Sequence, residues 1–164
     1  MSKLFLTSDL HLGHRSICKY RKQFKTVDEH DEVVFDNLAS AVSKRDSIYF
    51  MGDVAFTFEG LAKIKSLNVK SKVIILGNHD LERGIKIEHI AEVYDKVFAL
   101  HSRRGVWFTH CPIHPSEMRD RIGSVHGHKH EGIIDDPRYF NVCLEHTKYK
   151  PVLFSQVMEQ FKAI

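Results

Sequence analysis

The sequence is poor in cysteine and has no long apolar run, and both absences narrow the class of protein. Its three cysteines, Cys18, Cys111 and Cys143, are widely spaced and form no Cys-x-x-Cys pair. This spacing excludes a disulfide framework and a thiolate zinc knuckle. No apolar segment approaches the length of a membrane span, and the apolar start is too short for a signal-peptide core. We therefore expect a cytoplasmic protein that has no membrane partner.

A strong excess of charge of either sign is also missing. The formal net charge is +3 and the isoelectric point is about 8.7, which permits a nucleic-acid partner without requiring one. The chain has 164 residues, of which 43% are hydrophobic, so it is long enough for one well-packed core. Because repeats, low-complexity tracts and linkers are absent, we expect a single domain over residues 1–164. The oligomeric state stays open.

Short runs of β-branched and aromatic residues alternate with helical patterns in the first half of the chain. Strands are predicted at residues 3–8, 47–51, 72–76, 96–100, 106–109, around 125 and at 138–144. Thr26 and Glu29 have the spacing of a capping box and predict a helix over residues 27–43. Further helices are predicted around residues 61–68, at 85–94, and from a cap at Ser155 through Phe161. This order predicts a mixed α/β fold with two packed sheets and helices outside.

Residues that can bind metal ions follow five of these strands. Because loops at the rim of a sheet commonly carry functional groups, we expect these side chains to meet there. Residues two apart in an extended segment face the same side, so Asp9 and His11 can share one ion, as can His128 and His130. Turn and cap roles are the alternative for the aspartates and for Asn78. The full set is Asp9, His11, Asp53, Asn78, His79, Asp80, His110, His128 and His130.

Taken in order, the motifs Asp-x-His, Gly-Asp, Gly-Asn-His-Asp, His and Gly-His-x-His resemble those of the calcineurin-like metallophosphoesterase superfamily. The match runs from Asp9 to His130, and the opening segment 9–14 is similar to the compact branch found in bacteria and their phages. The tail at residues 138–152 extends the likeness. The resemblance implies a four-layer α-β-β-α sandwich, in which two mixed sheets are flanked by helices. The short chain leaves no room for a cap domain.

The resemblance also implies a centre of two divalent metal ions. Manganese is the preferred ion, and nickel, iron and zinc also suit the ligands. The centre would hydrolyse phosphoesters, with phosphodiesters favoured, by in-line attack of a hydroxide that bridges the ions. The substrate would be a small-molecule phosphoester. By motif position the first ion takes Asp9, His11 and His130, the second takes Asn78, His110 and His128, and Asp53 bridges them.

His79 is not a ligand in this scheme but the predicted catalytic residue beside the ions. It would stabilise the phosphoryl oxygens or protonate the leaving group, with Asp80 orienting its ring. Basic residues near the rim are candidates for binding substrate, with solvated surface charge as the alternative. These candidates are His14, Arg15 and His114.

Two other functions remain open at the level of sequence. One is a catalytically silent interaction module that keeps the fold, which the intact His79 and the full ligand set argue against. The other is a nuclease that acts on nucleic acid. Its support is a scatter of basic residues without the interleaved aromatic residues of a single-strand platform, namely Lys19, Arg21, Lys22, Lys25, Arg103 and Arg104.

Overall fold

A computed structural model describes residues 2–164 and contains two mixed β-sheets. The first sheet has the strand order β4-β3-β2-β1-β9, in which β1 to β4 are parallel and β9 is antiparallel to β1. Its strands are β1 (Leu4–Thr7), β2 (Ser47–Phe50), β3 (Ser71–Ile75), β4 (Lys96–Phe98) and β9 (Val152–Leu153). The short edge strand β9 was not predicted from the sequence.

The second sheet has the order β5-β6-β7-β8, with β5 antiparallel to β6 and the other pairs parallel. It consists of β5 (His101–Arg103), β6 (Val106–Phe108), β7 (Gly123–His126) and β8 (Tyr139–Asn141). The turn between β5 and β6 consists of Arg104 and Gly105, both with positive φ, as a type I′ hairpin turn requires. The predicted mixed α/β class with two mixed sheets is confirmed.

Five α-helices connect or follow the strands in the described part of the chain: α1 (Ile17–Tyr20), α2 (Val27–Ala41), α3 (Phe58–Ser66), α4 (Ile87–Ala91) and α5 (Phe154–Lys162). Thr26 caps α2 as predicted, since its hydroxyl oxygen accepts a hydrogen bond from the Glu29 N–H. The cap predicted at Ser155 is wrong, because Leu153, two residues earlier, occupies the N-cap position and α5 begins at Phe154. Phe154, the first residue of α5, is apolar and packs into the core.

Alternate residues of the central strands face two different apolar clusters. Phe5, Ile48 and Ile74 belong to a cluster that includes Val34 of α2 and Ile64 of α3. Their strand neighbours Leu6, Tyr49 and Val73 belong to a second cluster with Phe108, Val125 and Phe161. One face of the first sheet thus packs on helices, and its other face packs with residues of the second sheet and α5.

Both sheets direct their parallel strand ends to a common region. The residue that follows β1, Ser8, pairs with Cys143, which lies just beyond β8, and this bridge joins the two sheets. The loops after β1 and β2 also pair, through hydrogen bonds from the N–H groups of Asp9 and His11 to the carbonyls of Gly52 and Asp53. Among the described helices, none has the length and apolar character needed to cross a membrane.

Candidate metal centre

The predicted ligands lie in the loops that follow β1, β2, β3, β6 and β7, where these strand ends meet. Four of them adopt left-handed backbone conformations, with φ of 56° at Asp9, 53° at His11, 53° at Asp53 and 66° at His128. This conformation is uncommon for residues other than glycine, and it is concentrated at sites where the backbone is forced to aim a side chain. The loops are therefore shaped around the ligand side chains.

The first cluster consists of Asp9, His11 and His130. The Asp9 Oδ1 atom lies 3.6 Å from His11 Nε2 and 3.4 Å from His130 Nε2. Asp9 Oδ1 and both ring nitrogens of His11 are buried without a hydrogen-bond partner. Buried polar atoms are normally paired, so the unpaired Asp9 Oδ1 and His11 Nε2 atoms mark a place where a bound cation would complete the site.

The second carboxylate oxygen of Asp9 is fully engaged. Asp9 Oδ2 accepts hydrogen bonds from the Ser8 hydroxyl at 2.5 Å, from the His128 N–H at 2.9 Å and from the Cys143 thiol at 3.0 Å. These three donors hold the carboxylate in one orientation and leave only Oδ1 free. Residues from three separate loops thus aim one oxygen at the first cluster.

The second cluster brings together Asn78, His110 and His128. The Asn78 Oδ1 atom lies 2.9 Å from His110 Nε2 and 3.1 Å from His128 Nδ1, and the two ring nitrogens are 3.1 Å apart. His110 Nδ1 must donate to the Met51 carbonyl, 2.6 Å away, because a carbonyl only accepts. In the neutral ring the lone pair of Nε2 therefore faces the cluster.

Asp53 lies between the two clusters. Its Oδ2 atom is 3.3 Å from His110 Nε2, and its Oδ1 atom accepts a hydrogen bond from the His79 N–H at 2.9 Å. Ligand atoms of Asp9, Asp53 and His110 all lie within 4.8 Å of one another. The structure therefore brings all seven predicted metal ligands together.

Glycine is required at two positions because the carboxylates sit directly against the backbone. A Cβ atom on Gly127 would collide with the side chain of Ser8 and with the Asp9 carboxylate. A Cβ atom on Gly77 would collide with the Asp53 carboxylate and with its backbone nitrogen. The glycines in the Gly-Asn-His-Asp and Gly-His-x-His motifs thus provide the close approach that the ligand arrangement needs.

Nearby carboxylates favour positive charge at His110 and His130, whereas burial outweighs the effect of Asp9 at His11 and lowers the pKa of that ring. Asp9 and, next, Glu145 raise the pKa of His130 to about 10. Burial alone would raise the pKa of Asp9, but the neighbouring rings of His11 and His130 outweigh it and lower that pKa well below its usual value. Burial would likewise lower the pKa of His110, yet Asp53 and Asp9 raise it. The same negative field that attracts protons to these rings would attract a divalent cation.

The structure does not bring Asp80 to the ring of His79, which corrects the orienting role predicted for it. Asp80 is buried, and its carboxylate accepts hydrogen bonds from the N–H groups of Asp53, Val54 and Gly77 at 2.9, 2.9 and 2.7 Å. Instead, Glu82 Oε1 lies 3.0 Å from His79 Nδ1. Asp80 therefore ties the loops after β2 and β3 together, and Glu82 is the acidic neighbour of His79.

This role of Asp80 predicts a loss of stability on substitution. An Asp80→Ala variant leaves three N–H donors without their acceptor, at about 1–3 kcal/mol for each buried unpaired donor. We expect the free energy of unfolding, measured by urea denaturation, to fall by roughly 3 kcal/mol. Asp95→Ala is the matched control, because the Asp95 carboxylate accepts a single N–H, from Lys72, at an exposed position. Equal losses in the two variants would contradict the role.

Of the three predicted substrate-binding residues, His14 has its ring beside that of a predicted ligand. Its ring centroid is 5.7 Å from that of His11 and 4.7 Å from that of Phe56, and burial followed by neighbouring positive groups lowers its pKa to about 4. Arg15 is exposed one residue further along the loop. His114 is exposed, and its Nδ1 accepts the Ser116 N–H at the start of a short 3-10 turn. The structure therefore gives His114 a local capping role.

No pattern in the sequence predicts the residues that support the ligands from behind. Glu145 Oε1 lies 3.0 Å from His130 Nδ1 and accepts a hydrogen bond from Arg21 Nε at 2.9 Å. Arg21 is buried, although the sequence placed it among the scattered basic residues that support a nuclease. The partners Arg21 and Glu145 are 124 positions apart, and no local pattern links residues at that separation.

No family model matches the sequence. Over its full length the chain is 28% identical to an uncharacterised protein of Methanocaldococcus jannaschii, 96% of which is covered. About half of the chain, 49%, is 35% identical to the gene 66 protein of Mycobacterium phage L5, of which 41% is covered. The crystal structure of a protein of unknown function from Aquifex aeolicus is similar with a TM-score of 0.79 at 22% identity, covering 97% of this chain and 99% of that one. The chain thus shares the fold of the Aquifex protein.

Proposed function

We propose that the chain is a dinuclear metal-dependent phosphoesterase with a preference for phosphodiesters. One observation carries the proposal: three atoms of other side chains lie close to His110 Nε2. They are Asn78 Oδ1 at 2.9 Å, His128 Nδ1 at 3.1 Å and Asp53 Oδ2 at 3.3 Å. These atoms all carry lone pairs, and such a set is stable when a cation or a proton lies among them. Beside it stands the first cluster around Asp9 Oδ1.

In this proposal the first ion is held by Asp9, His11 and His130, and the second by Asn78, His110 and His128. Asp53, which lies between the clusters, would contact both ions. Mixed nitrogen and oxygen ligands suit manganese, and also nickel, iron or zinc. When bound, two such ions supply Lewis-acid chemistry: they make water a stronger nucleophile near neutral pH and stabilise negative charge on a phosphoryl group.

The proposed catalytic residue of the chain itself is His79. Its side chain is 38% exposed, and its ring centroid lies 6.3 Å from that of the buried ligand His11. In the doubly protonated ring Nδ1 faces Glu82, and Nε2 would donate a hydrogen bond to a phosphoryl oxygen or a proton to the departing alkoxide. The Asp53 carboxylate accepts the His79 N–H and so fixes this residue relative to the ligands.

The four-layer α-β-β-α architecture and the likeness to calcineurin-like metallophosphoesterases belong to the same proposal. Exposure of Asn78 and His128 supports an open site, which accommodates the second ester group of a diester. The nuclease alternative has less support. Arg103 and Arg104 line a cleft of about 500 Å³ with Lys3 and Ser47, at the opposite ends of the strands from the ligands.

Removal and return of the metal test the proposal directly. We expect chelation to abolish hydrolysis of an aryl phosphodiester and added manganese to restore it. Elemental analysis of the restored protein should give two manganese ions per chain, because folding assembles the ligands of both sites. Nickel, iron and zinc, and an aryl monoester, form the comparison series. Full hydrolysis by the metal-free protein would contradict the proposal, as would failure to bind any of these metals. Binding of two ions without hydrolysis of any ester would favour the silent interaction module.

A further inference from the structure

A buried arginine lies behind the first cluster. Arg21 is 2% exposed and donates hydrogen bonds to the carbonyl of Asp9 at 2.6 Å and to that of Leu10 at 3.1 Å. It also contacts His30 Nε2 at 2.7 Å and Glu145 Oε1 at 2.9 Å. A guanidinium removed from water to this extent is stable only when its N–H groups are well paired. All of these partners lie around the loop that carries Asp9 and His11.

The chemistry of this contact set fixes the tautomer of His30. Because a guanidinium only donates, His30 Nε2 must accept, and the ring proton resides on Nδ1. There it donates to Asp31 Oδ1 at 2.8 Å, while Asp31 Oδ2 accepts the Gly13 N–H at 2.7 Å. The start of α2 thus holds Arg21 on one side and the end of the ligand loop on the other.

On the opposite side, Glu145 links Arg21 to a ligand. Its Oε1 atom is shared between Arg21 Nε and His130 Nδ1, and the other ring nitrogen of His130 faces Asp9 Oδ1 at 3.4 Å. A carboxylate at Nδ1 keeps the proton on that nitrogen and presents the Nε2 lone pair to the ion. The contacts through Arg21, Glu145 and His130 therefore link the backbone of Asp9 to the Asp9 side chain.

Both ends of this network reach ligands of the first cluster. Arg21 holds the backbone of Asp9, and Glu145 holds the ring of His130. The second cluster has different supports, since the Met51 carbonyl orients His110. We infer that Arg21 and Glu145 are positioning residues for the first metal ion, and that they set its affinity independently of the second. This inference rests on the proposed dinuclear centre.

Manganese binding by a Glu145→Gln variant tests the inference. Glutamine keeps the volume but removes the charge that Arg21 and His130 share, so we expect affinity for one ion to fall by about 10–100-fold and affinity for the other to stay at its wild-type value. Isothermal titration calorimetry measures both affinities. Electron paramagnetic resonance at a fixed manganese concentration should change from the spectrum of a spin-coupled pair to that of an isolated ion.

Reference variants identify which ion is affected. Glu145→Gln should resemble His130→Ala, which removes a ligand of the first ion, and should differ from Asn78→Ala, which removes a ligand of the second. In the double variant Glu145→Gln with His130→Ala, we expect a loss of affinity smaller than the sum of the two single losses, because the contact between the two residues is already absent in either single variant. Glu92→Gln is the matched control, since Glu92 forms only a surface ion pair with Lys65.

The outcomes separate this inference from the proposed function. If the wild type binds two ions and Glu145→Gln weakens both equally or neither, the positioning role is overturned while the dinuclear centre stands. If the wild type binds no manganese, nickel, iron or zinc, both fail. An Arg21→Lys variant should show the same selective loss, because one ammonium cannot reach all the partners of the guanidinium. Should that variant fail to fold, Glu145→Gln decides the question alone.

Discussion

An Asp53→Asn variant is expected to hydrolyse phosphodiesters at least about 10³-fold more slowly than the wild type. Asp53 is the one carboxylate between the two clusters, 3.3 Å from His110 Nε2 and within 4.8 Å of the ligand atoms of Asp9. An amide lacks the negative charge that holds two cations close together, so affinity for both ions should fall. Steady-state kinetics on an aryl phosphodiester and metal analysis after gel filtration measure the two effects.

The fold should survive this substitution, which makes the result interpretable. The amide oxygen of asparagine can still accept the His79 N–H that Asp53 Oδ1 accepts at 2.9 Å. The control is Asp36→Asn on the exposed side of α2, where no loss of activity or metal is expected. A variant that retained both ions and near wild-type turnover would remove Asp53 from the proposed centre.

A His79→Ala variant is expected to keep its metal ions and lose turnover, whereas Asp53→Asn should lose both. His79 is not among the seven ligands, so two ions should remain bound, while kcat falls by about 10²–10⁴-fold because the proton donor is lost. Its side chain is partly exposed beside the ligands, and removing it leaves the buried contacts of the loop in place. Kinetics and calorimetry on the same preparation measure the two quantities together.

Two further variants test the role of His79. Glu82→Gln should lower kcat by less than His79→Ala does, since Glu82 acts only through the Nδ1 of His79, 3.0 Å away. His89→Ala is the matched control, because the His89 Nδ1 accepts the Lys86 N–H at the start of α4. Unchanged turnover in His79→Ala, or loss of the ions, would each show that the assigned role is wrong.

The order of the secondary structure elements could be predicted because each strand has a compact run of β-branched and aromatic residues. β1, β2 and β3 begin and end within a residue or two of their predicted bounds, and α2 begins at its capping threonine. Local patterns fail where tertiary contacts decide the outcome. The short strand β9 forms only because β1 offers a free edge, and α5 begins at Phe154 because that side chain packs into the core.

The ligands could be predicted because each sits directly after a strand, so that sequence position alone implies a shared rim. Their supports could not, since they act across long separations. Adjacency in sequence predicts that Asp80 orients His79, yet its carboxylate accepts hydrogen bonds from the N–H groups of Asp53 and Val54. Arg21 and Glu145 are brought together by the tertiary fold from positions 124 residues apart, and no local pattern around Arg21 predicts its burial.

The left-handed backbone at Asp9, His11, Asp53 and His128 places the stability of the fold in opposition to the proposed function of the side chains. Each such residue costs of order 1 kcal/mol relative to a relaxed conformation, and glycine at the same position would be free of that cost. Stability alone would therefore favour glycine at His11, whose ring nitrogens have no hydrogen-bond partner, but not at Asp9, whose carboxylate accepts three hydrogen bonds. The loops keep this strained conformation only while selection acts on the binding of metal ions by these side chains.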